Sequence, residues 1–206
     1  MVKINGEEKK RFCKQSPPEN IIFEYPKNKI GDFIEKRGFY IENKFFMESE
    51  EERVESKFQK RLDFYISEEA IEKILKHCKE MAFEGKEAMG FLIGDVKYWD
   101  CEYSVVYDIA TASLLSSPVY VKFRKEAFEE IFNKLDEIEY EYVIVGWYHS
   151  HLGYSSFMSK IDLETQKKYF NKSFHASLVI DPIKKEVKAF RLYGDECIEI
   201  PYAIFI

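Results

Sequence analysis

His149 and His151 stand two residues apart, and Asp162 follows eleven residues after the second of them. Two imidazoles and one carboxylate are a good ligand set for a divalent transition metal, zinc above all. Three protein ligands also leave the fourth tetrahedral position open to water, which a catalytic site needs. The run before the histidines, Tyr142 to Tyr148, is Val-Ile-Val flanked by aromatics and reads as a strand. The histidines therefore sit where a strand runs out, and at a spacing of two their side chains point the same way. Gly153-Tyr154-Ser155-Ser156 then turns the chain, and Ser159 with Asp162 opens a helix reaching to about Asn171. A His-x-His pair alone is a weak signal. Ser159-x-x-Asp162 is also the pattern of a helix N-cap with an acidic third position. The two roles are compatible, because a carboxylate in the first turn of a helix is well placed and held still.

Glu87, far upstream, extends the pattern: Glu, then His-x-His, ten residues, and Asp, with Ser three before the Asp. In this the chain resembles the JAMM (MPN+) metalloprotease family. The surrounding words match as well: Val-Gly-Trp-Tyr-His-Ser-His from Val145, Ile-Asp-Leu-Glu-Thr-Gln from Ile161, Leu-Val-Ile-Asp-Pro from Leu178 and Ala-Phe-Arg-Leu from Ala189. The resemblance runs from about Arg61 to Tyr193. It is nearest the proteasome-lid deubiquitinase and its archaeal relatives, with the signalosome deneddylase almost as similar.

The resemblance implies an α+β (α-β-α) MPN domain, a mixed β-sheet flanked by helices. It implies zinc on His149, His151 and Asp162, Glu87 as general base, and Ser159 as hydrogen-bond donor to a developing oxyanion. The implied activity is that of a zinc-dependent isopeptidase removing ubiquitin or a ubiquitin-like modifier from lysine side chains. Its partners would be such conjugates, with the proteasome a candidate. Two alternatives stay open: a JAMM hydrolase processing a sulfur-carrier protein or its adduct, and a non-catalytic MPN scaffold. Without the downstream residues, Glu87 would read as an ordinary strand-edge carboxylate. The sequence departs from the family at Leu152, where Pro is usual, and at Ser156, where the lid and signalosome enzymes have Cys.

The elements that must position these residues are legible in outline. The 206 residues suffice for one domain with a sizeable core and an appendage. A net charge of −6 argues against a nucleic-acid or anionic-membrane surface. Cys13, Cys78, Cys101 and Cys197 include no C-x-x-C pair and read as free thiols in a reducing compartment. With no apolar run of signal or membrane-span length, the expectation is a cytoplasmic protein.

Residues 1–58 read as an N-terminal extension of unknown role, and 59–206 as the metalloprotease domain. In the extension, Ile21 to Tyr25 predicts a strand ended by Pro26, and Asp32 to Met47 a hairpin or two short strands. Glu48 to Arg53 is a charged linker or helix start. A piece this small and aromatic packs on the main domain more readily than it stands alone.

Leu62 to Ile66 predicts the domain's first strand. Ser67 is the N-cap of the helix that follows, with Glu68 and Glu69 complementing the helix dipole. Ala70, Ile71, Ile74, Leu75, Cys78, Met81 and Ala82 form a core-facing stripe, with His77 on the solvent side. Gly85 ends that helix, and the stretch from Glu87 begins a strand. Gly94-Asp95 signals a turn, Tyr103 to Ile109 a strand, and Thr111 to Ser117 a small-residue loop. Val119 to Phe123 is a short strand, and Lys125 to Ile138 a helix. Past the metal segment, His175 serves the fold or faces solvent, and Ala176 to Ile180 is a strand. Glu186 to Tyr193 and Cys197 to Ile206 complete an antiparallel edge.

Overall fold

The computed structural model describes residues 15–38, 62–99, 101–111, 114–117, 120–123 and 143–206. The charged run at 48–53 and the helix expected over 125–138 lie outside the described residues. The elements in chain order are β1 (Ile21–Tyr25), α1 (Ile30–Lys36), β2 (Phe64–Ser67), α2 (Glu68–Phe83), β3 (Met89–Tyr98), β4 (Glu102–Ala110), β5 (Leu114–Ser117) and β6 (Tyr120–Phe123). Then come β7 (Val143–Ser150), α3 (Lys160–Tyr169), β8 (Ala176–Asp181), β9 (Glu186–Tyr193), β10 (Glu196–Ile200) and β11 (Tyr202–Phe205).

Nine of these strands form one mixed sheet in the order β1-β11-β2-β4-β3-β7-β8-β9-β10, and β5 pairs with β6 in a separate hairpin. The pairs β11–β2, β2–β4 and β7–β8 are parallel, and the others antiparallel. Helices α1 and α2 cover one face. There Phe23, Phe33, Ile34 and the stripe Ala70, Ile71, Ile74, Leu75 and Cys78 share one buried cluster with Leu92, Val106, Tyr148, Leu178 and Ile180. Helix α3 covers the other face at Trp147, whose indole Nε1 donates to Gln166 Oε1 at 2.6 Å. Mixed sheet with helices on both faces is the α+β architecture expected.

Strand β7 sits near the middle, with β3 antiparallel on one side and β8 parallel on the other. Its neighbours approach closely. A Cβ on Gly146 would lie 1.9 Å from the Ala176 carbonyl oxygen, and one on Gly94 would lie 1.9 Å from that of Val105. Each glycine marks a register shift, where β3 against β7 skips Val145 and β3 against β4 skips Tyr107. Bulges of this kind sharpen the local twist and help the sheet curl. The curl is pronounced: β10 and β11 lie toward opposite ends of the strand order, yet only Pro201 separates them. The Tyr25 hydroxyl donates to Glu199 across that seam, and the Tyr25 and Tyr202 rings stack at 5.4 Å.

Several local expectations change. Ile30 to Lys36 is helical, because Ile30, Phe33 and Ile34 recur at i, i+3 and i+4 and all three are buried. Gly94-Asp95 lies inside β3, the glycine answering a close strand approach and not a turn. Leu114–Ser117 is a strand paired with β6, in place of the expected loop. Cys197 to Ile206 is not one edge: Pro201 splits it, β10 pairing with β9 and β11 lying between β1 and β2. His77 is half-buried, its Nδ1 2.7 Å from the Tyr148 hydroxyl, because the α2 stripe is wide enough to bring it over β7. The segment at 21–36, which reads from sequence as part of the extension, supplies a strand to the main sheet and Phe23, Ile30, Phe33 and Ile34 to its core.

Candidate metal centre

Alternation along β7 divides its last residues between the two faces. Tyr148 and Ser150 look toward α2, while Trp147 and His149 look toward α3, their rings stacked at 4.6 Å. Trp147 also stacks on Phe170 at 5.6 Å. His149 is thus backed by a rigid aromatic wall. One residue past the strand, the His151 N–H donates to the Ile180 carbonyl of β8 at 2.8 Å, extending the parallel pairing.

Asp162 arrives from α3. Ser159 has extended backbone and caps the helix: its Oγ accepts from Asp162 N at 3.3 Å, and its own N–H donates to Asp162 Oδ2 at 2.8 Å. This reciprocal capping box turns the Asp162 carboxylate back toward β7. Asp162 Oδ2 then lies 3.3 Å from His149 Nε2 and 3.7 Å from His151 Nε2. One potential ligand atom from each of His149, His151 and Asp162 falls within 4.8 Å of the others. All three residues are buried, His149 to 1% exposure. The capping reading and the ligand reading of Ser159 and Asp162 are therefore compatible in one geometry.

Neither ring nitrogen of His149 has a hydrogen-bond partner among the described residues. A buried imidazole left in that state is costly. Ligation of a cation through Nε2 would satisfy one of the two nitrogens, and two imidazoles with a carboxylate suit zinc. On chemistry and on geometry the residues present fit the ion.

The electrostatics are strongly coupled. Burial alone would raise the Asp162 carboxyl, but His149 first, then His151 and the Ser159 side chain, overcome it and hold Asp162 well below the carboxylate range. Burial lowers His151, yet Asp162, the Ser155 carbonyl and Glu87 outweigh it and raise the ring above its ordinary value. Glu87 enters from the segment just before β3 and is 6% exposed. Burial pushes it up to about 7, with Asp162 and Asp181 adding to the rise and His151 opposing it. Those charges bring Glu87, sixty-two residues before His149, into the same electrostatic site.

The neighbour of Glu87 is tied to the histidines directly. Ser150, between them, donates its N–H to the Ala88 carbonyl at 2.9 Å and accepts the Ala88 N–H on its Oγ at 2.7 Å. The hydroxyl thus takes a ladder bond one step beyond the last β3–β7 pair, Met89 with His149. No sequence pattern signals this role of Ser150. Gln166 is likewise missed by sequence reasoning. It lies one turn after Asp162 on α3, fully buried, bridging Trp147 and the Phe170 carbonyl. A lone amide at i+4 from a ligand, on the same face of the helix, was the available signal.

At the departures from the family pattern, Ser156 docks on β9, its N–H donating to Glu186 Oε2 at 2.8 Å and its hydroxyl to the Glu186 carbonyl at 3.2 Å. Leu152 is half-buried in the same loop. His175 and His77 stay outside the cluster. The His175 ring is buried and accepts the Lys172 N–H at Nδ1, so it serves the fold.

Comparison with known proteins agrees with this picture. A family model described as JAB1/Mov34/MPN/PAD-1 ubiquitin protease matches residues 59–172. The 26S proteasome regulatory subunit RPN11 of Eremothecium gossypii is 34% identical over 136 residues, which are 62% of this chain and 42% of that protein. The ubiquitin carboxyl-terminal hydrolase RPN11 of Saccharomyces cerevisiae is 33% identical over 136 residues, 62% of this chain and 43% of that one. COP9 signalosome complex subunit 5 of Kluyveromyces lactis is 34% identical over 146 residues, 65% and 36% of the two. The matched stretches thus span less than half the length of these relatives. Among solved structures, protein DSY2949 from Desulfitobacterium hafniense superposes with a TM-score of 0.52 at 21% identity, over 68% of this chain and 92% of that one, which speaks to fold alone.

Proposed function

The chain belongs to the JAB1/Mov34/MPN/PAD-1 family, and from that premise we propose that it is a zinc-dependent isopeptidase. It removes ubiquitin or a ubiquitin-like modifier from lysine side chains of target proteins. The observation that carries the reading is the convergence of His149, His151 and Asp162 within 4.8 Å at a buried site that also contains the charge of Glu87. The names of the relatives, proteasome and signalosome subunits and a ubiquitin carboxyl-terminal hydrolase, support modifier conjugates as the substrate class. They also make the proteasome a candidate partner, and the cytoplasm is the compartment we propose from the sequence. Among the described residues no helix is long and apolar enough to cross a membrane.

His149, His151 and Asp162 hold the ion. When bound, zinc supplies the Lewis acidity that acidifies water and polarises the scissile carbonyl. Glu87 takes the proton of the attacking water and returns it to the lysine Nζ as the amine leaves. A carboxyl held near 7 can do both at neutral pH. Ser159 accepts the Asp162 N–H, so its O–H is left to donate to the oxyanion of the tetrahedral intermediate. Asp162 is fixed by the capping box, the Trp147 ring backs His149, and the Ser155 carbonyl meets His151 Nδ1. Burial around Glu87 and the histidines limits competing water and strengthens each of these interactions.

The test is Glu87→Gln. Gln is nearly isosteric and still hydrogen-bonds, but it cannot carry a proton to and fro. The variant should bind zinc as wild type does and lose at least about 10²-fold in cleavage of a lysine-linked modifier. Cleavage at the wild-type rate removes Glu87 from the mechanism. A wild-type chain that binds no zinc from excess metal overturns the reading as a whole.

A further inference from the structure

The loop between β7 and α3 is held by a set of hydrogen bonds to which the proposed chemistry assigns no role. Asp181, the last residue of β8, is fully buried and its carboxylate accepts four backbone N–H groups. Oδ1 takes those of Ile183 and Lys184, each at 3.0 Å, and of Gly153 at 3.2 Å. Oδ2 takes that of Ser155 at 2.8 Å. The bonds to Ile183 and Lys184 are what any aspartate at the head of a turn makes. The bonds to Gly153 and Ser155 cross to a different loop.

That loop is held in an unfavourable shape. Gly153 has φ +84° and Ser155 φ +73°, the second a left-handed conformation that costs a residue with a side chain. Lys184 adds a further tie, donating from Nζ to Ser155 Oγ at 2.7 Å. The conformation has one visible result. While its N–H meets Asp181, Ser155 turns its carbonyl to His151 Nδ1 at 2.7 Å. A carbonyl only accepts, so Nδ1 carries a proton, and in the neutral ring the lone pair is then on Nε2, the atom facing Asp162.

We propose that Asp181 is a positioning residue for the metal centre, acting through Ser155 to fix the tautomer and ring orientation of His151. The proposal rests on the reading of His151 as a ligand. Metal-bound histidines commonly donate their second ring N–H to a carbonyl or carboxylate, which sets ring direction and basicity. Here the carbonyl belongs to a strained loop residue, and the buried carboxylate supplies what holds it.

The two oxygens of Asp181 allow a clean test. Asp181→Asn can keep Oδ1 for Gly153, Ile183 and Lys184, but sets an amide NH₂ against the Ser155 N–H, donor facing donor. Zn²⁺ affinity of the full chain is measured by competition with a chromophoric chelator, beside the melting curve of the metal-free protein and the visible spectrum of the Co²⁺-loaded form. D181N should melt cooperatively, bind Zn²⁺ at least about tenfold more weakly, and show a shifted Co²⁺ spectrum. Ser155→Gly, which keeps both backbone groups and removes the strain, should bind Zn²⁺ like wild type. A folded D181N with wild-type affinity and spectrum overturns the proposal. A second measurement needs no variant: ¹⁵N NMR of the metal-free wild-type imidazoles at alkaline pH. His151 protonated on Nδ1 supports the proposal, and protonation on Nε2 overturns it. That reading stands even if the wild-type chain binds no zinc, a result that would count against the function proposed above and not against the Asp181 contact.

Discussion

Ser150→Ala tests how the strand end that carries the histidines is joined to the segment that carries Glu87. Ser150 and Ala88 are both fully buried. The serine hydroxyl is the acceptor for the Ala88 N–H, at 2.7 Å. Replacing it by alanine deletes one oxygen, too little to open a cavity that holds water. The Ala88 N–H is left without its acceptor in a dry site. An orphaned buried donor costs about 1–3 kcal/mol. For a chain of this size about 2 kcal/mol should lower Tm by roughly 4–8 °C. The Ser150 N–H to Ala88 carbonyl bond involves backbone only and survives, so the fold should persist. Urea unfolding of the metal-free protein gives the energy, and amide hydrogen exchange gives the location. The Ala88 amide should lose protection while amides in α3 do not. If stability changes by under about 0.5 kcal/mol and Ala88 stays protected, the hydroxyl is not holding that strand end and the argument fails.

Three further outcomes follow from other parts of the fold. Gly146→Ala would drive a Cβ to 1.9 Å from the Ala176 carbonyl oxygen, a backbone clash between the two strands, so a loss on the order of 3 kcal/mol or more is expected; a cooperative melt at the wild-type temperature would refute it. Burial lowers His175 from 6.5 to about 4, against the opposing pull of the Phe170 and Ile144 carbonyls. Between those values the unfolded chain binds the extra proton, so stability is full above about pH 6.5 and falls as pH drops toward about 4. His175→Asn, which keeps an acceptor for the Lys172 N–H, should remove a share of that slope worth up to about 3 kcal/mol, and parallel pH–stability curves for the two proteins would exclude the effect. Starting the chain at residue 59 removes Phe23, Ile30, Phe33 and Ile34 from the core. At about 1.5–3 kcal/mol each, less the entropy of ordering the segment, the loss should yield a dye-binding, poorly cooperative protein; a sharp wild-type-like transition without dye binding would contradict it.

The sequence by itself determined the elements whose signals are local and the residues whose chemistry is particular. Ser67 and the stripe from Ala70 to Cys78 specify α2, because cap and periodicity lie within one helix. The spacing of His149, His151, Ser159 and Asp162 specifies a strand end followed by a capped helix, and Ser159 with Asp162 forms the box that its pattern predicts. Glycine was ambiguous. At Gly94 the chain reads as a turn, and only a neighbouring strand 1.9 Å from a would-be Cβ shows why the residue is there. Cys197 to Ile206 reads as one continuous edge, and only the fold shows Pro201 sending β10 and β11 to different neighbours, since strand pairing is decided by partners remote in sequence. The same reason hid the supports of the site. Ser150 meets Ala88 across sixty-two residues, and Asp181 meets Ser155 across twenty-six. Each contact is a hydrogen bond between groups that every sequence contains in abundance, so their roles arise only where the sheet brings β3, β7 and β8 side by side.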